Sequence, residues 1–161
     1  MSLTKEISAT YCEPAAVMRR LLAMGRREDV ALAFLMGFCI LSFIAQVPRL
    51  VRDSHLADDD FSLLIAGALM GSIIVLPFVL YLFAAMTHFV RKIFRKSGTG
   101  YGCRLALFWS LLATTPVVLM NGLVAGFLGD GVILKIVGFV WLIFFLWFWL
   151  SMLGVSAEER S

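Results

Sequence analysis

From residue 30 onward the chain alternates long apolar runs with short polar interruptions. Four runs stand out, at residues 30–47, 61–86, 105–128 and 132–153. A helix rises about 1.5 Å per residue, so about 20 residues cross a hydrocarbon core of roughly 30 Å. The first run is just long enough and the other three are ample. The pattern therefore predicts an all-α protein, a polytopic bundle of four transmembrane helices. The runs are continuously apolar, not alternating segments of about ten residues, which disfavours a membrane β-barrel. Pro77 and Pro116 fall inside the second and third runs and predict kinks there.

The first 28 residues read differently. Pro14 suits the first turn of a helix and Gly25 its C-terminal stop. Between them Val17, Met18, Leu21, Leu22 and Met24 share one side, with Arg19 and Arg20 towards the other. This predicts an amphipathic helix over residues 14–24, lying along the membrane surface or packed on the ends of the protein's own spans. The domain reading is a cytoplasmic segment at 1–28, a transmembrane domain at 29–154 and a tail at 155–161.

Composition strengthens the membrane reading. Apolar side chains make up 61% of the 161 residues and charged ones 16%, with a mean hydropathy of +0.92. A soluble domain of this size cannot hide so many apolar side chains, and disorder is excluded by the same excess. The formal charge of +3 comes from Lys and Arg gathered beside the apolar runs. Eleven of the fourteen fall in the N-terminal segment, the link between spans two and three, and the tail. By the positive-inside rule both termini are expected in the cytoplasm. The expected location is the inner (plasma) membrane of a bacterium. Cys12, Cys39 and Cys103 show no metal or disulfide spacing. No cleavable signal peptide is expected either, since mixed residues precede the first run and that run is long enough to stay in the bilayer.

Candidate chemistry is sparse. The outer loop, 48–60, holds Arg49, Arg52, Asp53, His55, Asp58, Asp59 and Asp60. Its carboxylates are read as partners of the next helix's free N–H groups and of the arginines, with a divalent cation as the weaker alternative. The inner link carries Arg91, Lys92, Arg95 and Lys96 around Ile93 and Phe94. These four are candidates for lipid headgroups, although an ordinary topology signal accounts for the same residues. No recognition fold accompanies them, so nucleic acid is not an expected partner. Gly98, Gly100 and Gly102 follow without the Lys-Ser/Thr of a phosphate loop and are read as a turn. Tyr101 is read as an interface anchor.

Within the spans, Thr114, Thr115 and Pro116 form a polar kink with Asn121 beyond it. Such a group lines a transport path or, more commonly, satisfies carbonyls freed by proline. Gly67 and Gly71, and Gly122 and Gly126, are two GxxxG pairs. They predict close helix packing, between spans two and three or between protomers. His55 and His88 are expected on opposite sides of the membrane. No nucleophile–base pair, zinc motif or cofactor motif is present in the sequence, which argues against an enzyme and predicts no cofactor.

The order of features resembles bacterial members of the Yip1 family. Glu13-Pro14, then Arg20-Leu21-Leu22, then Gly25 lead into span one, similar to the family's acid-Pro, Arg-Leu-Leu, Gly opening. Gly100-Tyr101 and the later Ala113-Thr114-Thr115-Pro116 are similar to its Gly-Tyr and small-residue-plus-Pro steps, and Gly154-Val155-Ser156-Ala157 to its last-span ending. The chain departs from the family in lacking the eukaryotic Asp-Leu-Tyr-Gly-Pro-like segment and a Leu-Pro after Gly100-Tyr101. It also has four predicted spans against the usual five. The resemblance implies a non-enzymatic integral membrane protein acting through lipids or partner proteins. The expectation from the whole sequence is an accessory or scaffold protein that associates with lipids and with another membrane protein or its own copies. The alternative is a small oligomeric transporter or channel using Thr114, Thr115 and Asn121.

Overall fold

The structure, a computed structural model, describes residues 3–57, 60–93 and 99–158, and every element among them is helical. Two short helices come first, α1 (Leu3–Cys12) and α2 (Pro14–Ala23), followed by the long α3 (Glu28–Ala57). Next come α4 (Phe61–Met70), a π-helical turn (Gly71–Val75) and α5 (Leu76–Ile93), which run on from one another. The chain ends with α6 (Gly100–Ala113), α7 (Thr115–Phe127) and α8 (Val132–Glu158). Three stretches are long and apolar enough to cross a membrane: Glu28–Leu56, Phe61–Ile93 and Val132–Ser156. The pair α6 and α7, bent by 46° at its break, makes a fourth if it is counted as one span.

The core is built around α6, whose residues from Tyr101 to Ala113 are all buried except Arg104. Its sequence is apolar on every side, the pattern of a helix surrounded by others. Phe34 of α3 packs edge-on against Trp109, and Tyr81 of α5 against Phe108. Met152 of α8 lies against Ser110. The α6–α7 pair accompanies α3 in the same direction: Tyr101 reaches the Arg27 carbonyl at one end, and Gly126 meets Pro48 towards the other.

Two local features differ from the sequence pattern. The apolar run of span one ends at Val47, but α3 continues through Pro48 to Ala57. The segment read as an outer loop is thus largely helical, and Arg49 pairs with Asp53 one turn on, at 3.5 Å. At Pro77 no break appears. Instead the π-helical turn precedes it, with the Leu76 N–H donating to the Gly71 carbonyl. The widened turn takes up the change of register caused by the missing proline N–H. In α2, Val17, Met18, Leu21 and Leu22 are buried in the protein's own core while Arg19 and Arg20 are exposed. Gly25 follows with φ of 83°, a left-handed conformation that glycine takes without strain.

Candidate functional site

The break between α6 and α7 is where the polar residues of the third apolar run collect. Pro116 supplies no N–H, so carbonyls in the preceding turn lose their helical donors. The Val117 and Val118 N–H groups both turn to the Thr114 carbonyl, at 3.1 and 3.2 Å, and start α7 afresh. Thr114 Oγ1 donates back into α6, 2.9 Å from the Leu111 carbonyl and 3.1 Å from that of Ser110. It also accepts from Trp141 Nε1 at 3.2 Å. Thr115 Oγ1 lies 3.4 Å from the Leu111 carbonyl. The Ala113 carbonyl receives the Tyr11 hydroxyl of α1 at 3.1 Å. Thr114 and Thr115 are both buried, and their hydroxyls are committed to holding the break together.

Asn121 sits apart from that group. It lines a cavity of about 320 Å³ along the seam between α3 and α7, with Ser42, Gln46 and Arg49 opposite. The structure therefore separates the residues of the expected transport path: the threonines close the break, and Asn121 faces a different set of polar groups. Gln46 Nε2 donates to the Ser42 carbonyl at 3.2 Å and to Ser72 Oγ at 2.9 Å, tying α3 to the π-helical turn.

The two GxxxG pairs have different surroundings. A Cβ on Gly122 would run into the backbone of Ala45, and one on Gly126 into Pro48. This pair joins α7 to α3, not to α4 or α5. At Gly67 and Gly71 an added Cβ meets nothing within 4 Å. No residue of α4 is buried, and only Ala84 of α5 is.

At the opposite end, the basic residues between α5 and α6 divide. Arg91 turns into the protein, donating to Ser156 Oγ at 2.9 Å and lying 3.6 Å from Cys103 Sγ. Lys92 is exposed. Arg95 and Lys96 lie outside the described residues. Tyr101, read from sequence as an interface anchor, is 6% exposed and donates to the Arg27 carbonyl at 3.3 Å. Arg104 pairs with Glu28 and, with His88, borders a cavity of about 280 Å³ against Gly100. Of the acidic run, Asp60 caps α4 by accepting from the Ser62 N–H at 2.9 Å, while Asp58 and Asp59 lie outside the described residues. Among the described residues no cluster of three metal-ligating side chains forms.

The seam cavity is the arrangement that sequence reasoning missed. Ser42, Gln46 and Arg49 follow at intervals of four and three, one face of a helix, and so do Val118, Asn121 and Ala125. That spacing was available. Which two faces meet was not, because the pairing of α3 with α7 is tertiary. Comparison of the chain with protein-family models, with curated proteins and with solved structures gives no match in any of the three.

Proposed function

We propose that this is a non-enzymatic integral membrane accessory or scaffold protein of four spans, acting through lipids and partner membrane proteins. On this reading α6 and α7 form one broken span. They keep company with α3 from its start, next to Arg27, to Pro48, a stretch long enough to cross a bilayer. Both termini are cytoplasmic, following the distribution of Lys and Arg. The resemblance to the Yip1 family, a group of membrane proteins without catalytic machinery, belongs to the same proposal.

The observation that carries it is span two. Only 6% of its most apolar stretch is buried within the protein, and Gly67 and Gly71 stand open on it. Small residues one turn apart let a second helix approach closely in lipid. The test is Gly67→Leu with Gly71→Leu in the tagged full chain, followed by gentle extraction, cross-linking and mass spectrometry. Loss of a co-extracted membrane protein or of a homo-oligomer, with the melting temperature kept, is the expected result. An unchanged set of attached proteins overturns the reading.

The transporter alternative is favoured by one observation, the cavity beside Asn121. Asn121→Leu in proteoliposomes tests it. Unchanged solute flux removes this alternative, and a loss of flux raises it above the scaffold reading.

A further inference from the structure

The seam cavity has a chemistry of its own. Its polar side is made by the Ser42 hydroxyl, the Gln46 and Asn121 carboxamides and the Arg49 guanidinium, and its apolar side includes Val118 and Leu134. The walls are fixed in advance, because Gly122 and Gly126 bring α7 against the backbone of α3 at Ala45 and Pro48. A preformed site of this kind loses little ordering freedom when a ligand enters.

Its hydrogen-bonding capacity is largely unused. Asn121 makes no hydrogen bond to any described residue, nor does the Ser42 hydroxyl, and Gln46 spends only its amide N–H groups. A carboxamide without partners among apolar helices is costly, so a polar occupant is the physical expectation. Arg49 meets Asp53 only through Nε, at 3.5 Å. The neighbouring Arg52 is otherwise engaged, donating to the Gly126 and Phe127 carbonyls at 3.4 and 3.2 Å. Arg49 is thus the cation that borders the cavity. A guanidinium with hydroxyl and amide donors matches the oxygens of a phosphate. The amide carbonyls suit hydroxyl groups next to it, and the Val118–Leu134 side suits the start of an acyl chain.

We propose that the α3–α7 seam binds the phosphate headgroup of an anionic amphiphile, a membrane phospholipid, with Arg49 and Asn121 as its principal contacts. The site rests on the reading that α3 and α7 cross the bilayer. It is independent of partner docking on span two.

The experiment uses the purified full chain in nanodiscs and in detergent. Native mass spectrometry compares retention of phosphatidylglycerol and phosphatidylcholine supplied in equal amounts, and thermal unfolding is followed with either lipid or with inorganic phosphate. Wild type is expected to retain phosphatidylglycerol at least tenfold over phosphatidylcholine. Arg49→Gln and the isosteric Asn121→Asp are expected to bring that ratio near one. Lys5→Gln, the same charge change as Arg49→Gln on an exposed side chain outside the cavity, leaves it unchanged. Should Arg49→Gln fail to fold, Asn121→Asp carries the test, since its side chain makes no hydrogen bond to any described residue. Gly67→Leu leaves retention unaltered, so partner docking and lipid binding are read separately. Equal retention of the two lipids overturns the proposal, as does equal loss in Lys5→Gln. Stabilisation by inorganic phosphate while phosphatidylglycerol is inert also overturns it, assigning the cavity to a free anion.

Discussion

Tyr11 shows how much a single side chain can connect. Its ring packs edge-on against Phe148 with centroids 5.0 Å apart, and its hydroxyl reaches the Ala113 carbonyl beside the broken helix. Thr10, next to it, accepts from Trp109 Nε1 at 3.0 Å. These contacts fasten the first helix to the core. Tyr11→Phe removes one partly buried hydrogen bond and is expected to cost about 0.5–1.5 kcal/mol, read as a lower unfolding midpoint.

Among the elements, the contrast between the two GxxxG pairs is the most informative. The same sequence signal is consumed in one case, where α7 rides on α3, and left open in the other, on α4. Gly122→Ala must push two helix backbones apart and is expected to destabilise by about 1–3 kcal/mol. Gly67→Ala meets open space and improves helix propensity, so it is expected to leave stability unchanged or raise it by up to about 1 kcal/mol. Parallel denaturation of the two variants decides the point. Equal losses would contradict the packing described. Arg91 makes a similar point about charge. It reads as one of four headgroup candidates, yet it ties α5 to α6 and α8 through Cys103 and Ser156. Ser156→Ala removes one of that guanidinium's acceptors and is expected to loosen the end of α8, seen as faster hydrogen exchange there.

For the whole molecule, the proposed four-span arrangement sets which end of the bundle faces which solution. In a background with the exposed Cys12 replaced, Ser54→Cys is expected to react with an impermeant reagent from outside. Ser97→Cys is expected to react only after the membrane is opened. The reverse pattern refutes the orientation and labelling of both from one side refutes the span count. Cys39 and Cys103 are buried and contribute little background. At this scale the outward surface matters as much as the core. Phe78, Phe127 and Leu63 are each more than 70% exposed, a surface suited to lipid or to another membrane helix.

The sequence by itself determined the class of this protein: apolar runs of spanning length dictate helices, because a backbone in lipid must satisfy its own hydrogen bonds. It also located the break near Pro116, but proline alone did not decide it, because the helices holding Pro48 and Pro77 run on. Only the tertiary structure decided what lies beside what. The hydroxyls of Thr114 and Thr115 close the break, while Asn121, half a dozen residues on, faces Ser42, Gln46 and Arg49. Gly122 and Gly126 choose α3 as their neighbour, and Gly67 and Gly71 choose none within the chain. The physical reason is that hydrophobic periodicity says which face of a helix is apolar, whereas in a chain apolar nearly all round it does not say which face meets which. That choice is made by shape, by close approach at small residues and by the few polar groups that must find partners.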